Sequence, residues 1–229
     1  MISYGESLNN MGLVSGLLIL VILIFSAIFH EVAHGFVAEK LGDPTARLAG
    51  RLTLNPRKHI DPFMSVLLPL LLIISGSPVI FGAAKPVPVD PFNLKEGRKD
   101  IALVSLSGPL TNIFIAIIAS FLIKIITFSS GGLIETGAGS FLPLMFWLLS
   151  KIAQINLLLA IFNLIPIPPL DGSKVFALIL PQKEAAAYLS ISGVGIFIIF
   201  FLLLFPIGGF SLGELIFNLL SFAEKLLGI

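Results

Sequence analysis

From Met11 to Phe29 the chain reads MGLVSGLLILVILIFSAIF, with no ionisable side chain, and runs straight into His30-Glu31-Val32-Ala33-His34. In lipid such a run has one solution, a helix, because only there are all backbone N–H and C=O groups satisfied within the segment. At about 1.5 Å per residue, Met11 to His30 spans about 28 Å, close to the ~30 Å of a hydrocarbon core. The histidines therefore fall near the far face of the bilayer, or inside it if the helix tilts. Histidines at i and i+4 share a helix face, so both imidazoles can reach one zinc ion. Glu31, next to the first histidine, is placed to act as general base on the water that a catalytic zinc activates. A carboxylate at membrane depth is costly and marks function.

Composition agrees. Hydrophobic residues make up 56% of the chain and charged residues 12%, with a mean hydropathy of +1.05. Soluble domains carry about 25% charged residues, so this is an integral membrane chain, read as one polytopic domain over 1–229 without an internal repeat. There is no cysteine, which leaves His, Asp and Glu as the available zinc ligands. The start, MISYGESLNN, lacks the basic region and cleavage site of a signal peptide, so the first apolar segment is expected to be retained.

The first helix should run from about 11 to 41 and stop at Gly42-Asp43-Pro44. Alternation in ARLAGRLTLNP predicts a short strand and loop over 44–56. The apolar stretch from 63 carries Pro69 and breaks at Gly76-Ser77-Pro78, and VIFGAAKPVPVDP after it reads as extended. Helix-length apolar segments follow at 101–127, 141–165, 185–206 and 211–227, with a partial helix at 173–180 and a Gly/Ser-rich linker at 128–140. Lys and Arg cluster at 40–58 and 85–99, with Lys174, Lys183 and Lys225 beyond. The positive-inside rule places these on the cytoplasmic side, which requires 63–84 to dip in and return. The expected fold is an α-helical integral membrane protein of about five to six membrane segments, with short β-strands or a re-entrant hairpin near the cytoplasmic face. Its zinc-site core would cover about 15–180 and its C-terminal helices about 185–227.

A catalytic zinc takes three protein ligands. Six residues after His34 stands Lys40, and no glutamate follows at the spacing of about twenty residues seen in thermolysin-like enzymes. Glu39 and Asp43 are too near in sequence to fold back on the same helix face. His59, in NPRKHIDP, reads as a solvated or interfacial loop histidine. Asp171, in NLIPIPPLDG, follows a spanning helix that descends to the same side as His30. Its prolines open the backbone as a ligand-bearing cavity needs. The competing reading, an Asp-Gly turn capping the next short helix, weighs equally on spacing.

HEVAH in an apolar helix, SGPLTN at the start of a later one and NLIPIPPLDG after another together resemble the site-2 protease family of intramembrane zinc metalloproteases, in the same order and over about 15–180. The resemblance implies His30, His34 and Asp171 as zinc ligands and Glu31 as the catalytic residue. It also implies Asn112 and Asn163 as candidate oxyanion or substrate-binding amides. The family's extended segments beside the active site, thought to align an unwound substrate, would correspond to 44–56 and 79–90, and strand addition by them is expected. No inserted PDZ or C-terminal CBS domain is recognised and no span precedes the HEVAH helix, so the chain resembles a minimal form. The implied activity is hydrolysis of peptide bonds within or beside transmembrane segments. The expected partners are transmembrane protein or peptide substrates and the bilayer, with no nucleic acid, and the expected place is the cell membrane with a cytoplasm-facing active site. A metal channel or transporter would distribute ionisable residues along several helices, whereas here they gather at one depth. A dead scaffold would have no reason to keep HEVAH and Asp171 intact.

Overall fold

The computed structural model describes residues 4–75, 84–129 and 141–229, with side chains from Val14 onward apart from Met64 and Ile73. Helix α1 spans Tyr4–Leu41 and ends where Gly42 takes φ +117°, a conformation a side chain would resist. A single turn, α2 (Thr45–Leu48), a 3-10 turn at Pro56–Lys58 and a π-helical turn at Pro62–Leu67 lead into α3 (Leu68–Ile74). Then come α4 (Arg98–Ser129), α5 (Leu142–Leu164), α6 (Asp171–Ile179), α7 (Gln182–Ser190), α8 (Ser192–Leu204) and α9 (Leu212–Leu227). Helix α4 is central, packed on α1, α5 and α6.

The packing is that of a bundle made for lipid. Along α1 the exposed side chains are Val14, Leu17, Val21, Phe25, Phe29 and Phe36, while Ser26, His30 and His34 point inward. Between α4 and α5 the contact is built on Ala116, Ala119 and Ala153 with Ile123, Leu149 and Leu157. Lipid tails are as apolar as leucine, so helices gain from close approach over small residues rather than from hiding apolar surface.

Three helical stretches among the described residues are long and apolar enough to cross a membrane: Val14–Leu41, α4 and α5. The segment expected as one helix over 185–206 is two, α7 and α8, bent by 66° at Ile191 and forming one further candidate span. This is fewer than the expected five to six segments, since α3 is 7 residues long and α9 is 16. The partial helix expected at 173–180 is α6.

The expected strands are absent from the described residues, where only an isolated bridge between Ile207 and Phe210 occurs. In 44–56 the Asp43 carboxylate accepts from Thr45 N at 3.0 Å and starts a helical turn in place of an extended strand. Residues 84–90 have no regular secondary structure, and Pro86 and Pro88 lack the N–H that ladder pairing needs. Positions 79–83 of the expected extended segment, 76–83 of the expected hairpin and 130–140 of the expected linker lie outside the described residues.

The ends of the 60–84 excursion meet. Lys85 N donates to the His59 carbonyl at 2.7 Å. The buried Arg51 guanidinium joins the carbonyls of Lys58, Lys85 (2.9 Å) and Pro86 (3.0 Å). His59, expected in solvent, is fully buried and donates from Nε2 to the Thr53 carbonyl at 2.8 Å.

Asp43, 0% exposed, ties this loop system to α1. Its carboxylate accepts from Thr45 N and Oγ1, Asn93 Nδ2 (3.0 Å) and Asp90 N (2.7 Å). Burial opposes the charge, but the donors from Thr45, Asn93 and Asp90 prevail and hold the carboxyl below its ordinary value. The folded pKa is depressed, so the stabilisation is complete above the unfolded value of roughly 4 and is lost as pH falls through the folded one. Asp43→Asn turns an N–H toward donors already in place and should cost about 1–3 kcal/mol at neutral pH. The deficit should shrink in acid below the ordinary carboxylate range. Thermal unfolding in detergent across pH measures both, and a deficit that does not depend on pH would show that the charge plays no part.

Candidate metal centre

Three side chains from two helices converge. His30 and His34 project from α1, and Asp171 opens α6, 137 positions beyond His34. The Nε2 atoms of both histidines lie 3.1 Å from Asp171 Oδ2, with the rings 4.6 Å apart at 87°. All three residues are buried, and their ligand atoms lie within 4.8 Å of one another.

Hydrogen bonding to the other ring nitrogens decides what this group can hold. His34 Nδ1 donates to the Val104 carbonyl at 2.7 Å, and His30 Nδ1 donates to Asn112 Oδ1 at 2.5 Å. Each imidazole spends its neutral-state proton at Nδ1, so each Nε2 presents a lone pair toward the carboxylate oxygen. Two lone pairs and a carboxylate oxygen converge as a set of donors that a proton or a metal cation can bridge. Nitrogen and oxygen donors, with no thiolate, are a set that zinc accepts.

Asp171 is delivered by the broken chain after α5. Pro166, Pro168 and Pro169 stop the helix, and Gly172 lets α6 start against the end of α5, where a Cβ would lie 2.1 Å from the Leu164 carbonyl. The capping alternative does not hold: Leu170 occupies the cap position of α6 without a side-chain bond, and the Asp171 carboxylate turns to the histidines. Its Oδ1 meets Lys174 Nζ at 3.2 Å. Arg98, at the start of α4, donates to the carbonyls of Ala177 and of Leu180 (2.7 Å), pinning the far end of α6.

Glu31 stands beside this group. Its Oε2 accepts from Val87 N at 2.7 Å, and Val87 is buried in the niche at Gly35. Lys85, Val87 and Asp90 thus spend their N–H groups on His59, Glu31 and Asp43, and Pro86 and Pro88 have none. The expected strand addition to 84–90 finds those donors taken.

Of the two candidate asparagines, only Asn112 joins the cluster. It is 0% exposed, and its Nδ2 donates to Asn156 Oδ1 at 2.8 Å and faces the Ser26 carbonyl at 3.4 Å. Both ends of the Asn112 amide are engaged, its oxygen with His30 and its nitrogen with Asn156. Asn163 donates back to the Leu159 carbonyl of its own helix at 2.9 Å and makes no hydrogen bond to the histidines, Glu31 or Asp171. Sequence reasoning missed Gly108, Val104, Ser26 and Asn156. Polar residues inside apolar helices were the available signal for Ser26 and Asn156. Gly108 was hidden in SGPLTN, because a glycine says nothing of what it faces.

The family model described as peptidase family M50 matches residues 122–206, a stretch that includes Asp171. The chain is 36% identical to YwhC of Bacillus subtilis over 197 residues, covering 85% of this chain and 83% of that protein. It is 31% identical to Rip2 of Mycobacterium tuberculosis over 160 residues, 69% of this chain and 56% of that one. It is 32% identical to MJ0611 of Methanocaldococcus jannaschii over 148 residues, 65% and 63% of the two chains. All three are named as zinc metalloproteases. No solved structure gives a significant match.

Gly108 tests the centre. A Cβ there would lie 2.5 Å from His34 Nε2 and 2.6 Å from His30 Nε2, well inside van der Waals contact, and would push both rings off the shared point. Wild-type protein should retain about one zinc per chain. Gly108→Ala, which favours the helix by roughly 1 kcal/mol, should stay folded and lose the metal. Elemental analysis after dialysis decides, and full zinc retention by the variant would place the metal elsewhere.

Proposed function

The chain belongs to peptidase family M50, the site-2 protease family of zinc metalloproteases, and from that premise we propose that it cuts peptide bonds within or beside the transmembrane segments of other membrane proteins. The observation that carries this reading is the position of the His30, His34 and Asp171 group: inside the bundle, its two histidines on a helix whose exposed side chains from Val14 to Phe36 are apolar. His30, His34 and Asp171 would hold the zinc. Bound there, zinc supplies Lewis-acid polarisation of a carbonyl and makes water more acidic at neutral pH.

The remaining work falls to the chain's own side chains. Glu31 takes the proton of the attacking water and returns it to the leaving amine. The Val87 N–H bonded to one Glu31 oxygen holds the carboxylate's orientation and leaves the other oxygen for that proton. Val104 and Asn112 keep the two imidazoles turned with Nε2 toward the site. A spanning helix hides its amides in its own hydrogen bonds, so the substrate must be locally unwound before its carbonyl can enter.

The active site is read as facing the cytoplasm of a cell-membrane protein. The basic loops at 40–58 and 85–99 support this, because Arg51 reaches the carbonyls of Lys85 and Pro86, and Asn93 reaches Asp43. Loops in contact share a side, and their Lys and Arg residues assign that side to the cytoplasm.

Two experiments test the reading. Glu31→Gln should keep fold and zinc while cleavage of a reconstituted single-span substrate falls by roughly 10²–10⁴-fold or more, because an amide cannot accept the proton. Cleavage near the wild-type rate would remove Glu31 from the chemistry. Single cysteines at Thr53 and Asn93, in a chain without native cysteine, should both react with a membrane-impermeant thiol reagent only from the cytoplasmic side. Reaction from the opposite side would reverse the orientation, and reaction from different sides would break the loop contacts on which it rests.

A further inference from the structure

Asn156 has no part in the chemistry above, yet it lies 0% exposed in α5 with every polar atom engaged. Its Nδ2 donates to the Ile152 carbonyl at 2.8 Å and to Ser26 Oγ at 2.9 Å, and its Oδ1 accepts from Asn112 Nδ2 at 2.8 Å. Asn112 Oδ1 in turn accepts from His30 Nδ1. Three helices, α1, α4 and α5, are joined by one chain of bonds that ends on an imidazole.

The direction of this chain is dictated from its far end. A main-chain carbonyl can only accept, so the atom of Asn156 facing Ile152 is the nitrogen. The Asn156 oxygen then faces Asn112, which must answer with its nitrogen and keep its oxygen for His30. A carboxamide oxygen also only accepts, so His30 carries its proton at Nδ1 and keeps the Nε2 lone pair. We infer that Asn156 is a positioning residue which, from the Ile152 carbonyl through Asn112, fixes His30 in the tautomer whose Nε2 can hold zinc. His34 reaches the same state in one step, from the Val104 carbonyl. Buried amide networks are fully satisfied or costly, and removing Asn156 leaves the Asn112 nitrogen only the long 3.4 Å contact to the Ser26 carbonyl, a weak restraint against turning over. This inference rests on the reading of His30, His34 and Asp171 as the zinc ligands.

The test is zinc affinity of the purified full chain in detergent, by competition against a chelator. In Asn156→Leu the Asn112 nitrogen can meet His30 Nδ1 and drive the proton to Nε2, and affinity should fall by roughly 10–100-fold, the usual cost of losing an outer-shell partner. Adding Asn112→Asp places oxygen on both arms of the side chain, so Nδ1 again finds an acceptor. The double variant should recover most of the lost affinity, a recovery that lost packing alone would not produce. Wild-type affinity in Asn156→Leu, or a double variant no tighter than the single one, overturns the inference. Should Asn156→Leu fail to fold, the wild type decides: with ¹⁵N-labelled histidine and no zinc, well above the imidazole pKa, His30 should show the Nδ1–H tautomer. An Nε2–H tautomer overturns the inference. A wild type that binds no zinc while showing the Nδ1–H tautomer would instead sink the metal centre, which keeps the two failures apart.

Discussion

Two imidazole nitrogens each lie 3.1 Å from one carboxylate oxygen, and much of the architecture serves to hold that arrangement. A zinc ion held by the three side chains would couple metal binding to helix assembly. The surrounding bonds read accordingly. Val104 and Asn112 hold the rings, Arg98 anchors the helix that delivers Asp171, and Gly108 and Gly172 remove the atoms that would keep α4 and α6 at a distance.

The second organising element is the strap at 84–90. It lies across the α1 face that carries Glu31 and Gly35, fixed by Asp43 at one end and Arg51 at the other. Proline at 86 and 88 leaves it few N–H groups, and those of Lys85, Val87 and Asp90 are spent on the protein itself. The strap therefore behaves as a wall that orients Glu31. Its pairing with the 51–59 loop brings the two basic loops together.

How these features relate to lipid follows from the burial pattern. The exposed surface of α1, α4 and α8 is mostly Leu, Ile, Val and Phe, while the interior mixes Ala, Leu and Ile with buried polar residues such as Ser26, Asn112 and Asn156. In water this would be a protein turned inside out. In a bilayer the exposed face costs nothing, and interior hydrogen bonds such as Asn156 to Ser26, at about 0.6–2 kcal/mol each, help to specify how the helices meet.

The HEVAH pair was legible in the sequence because it is local: a four-residue spacing fixes two imidazoles on one face wherever the helix goes. The apolar runs likewise announced α1, α4 and α5 and the membrane, since a spanning segment must satisfy its own backbone and meet lipid. Asp171 was legible only as an even choice until the motifs around it were taken together, because ligand and cap share the same Asp-Gly signature. Strand against turn at 44–56, the burial of His59 and the break at Ile191 depended on partners elsewhere in the chain. So did the roles of Asn112, Asn156 and Gly108, which exist only where α1, α4 and α5 cross. Periodicity records which way a helix faces, but the atom standing opposite a side chain is set by packing between segments tens of residues apart. That is why the residues able to hold the metal could be read from the sequence, while the bonds that hold those residues were decided by the tertiary structure.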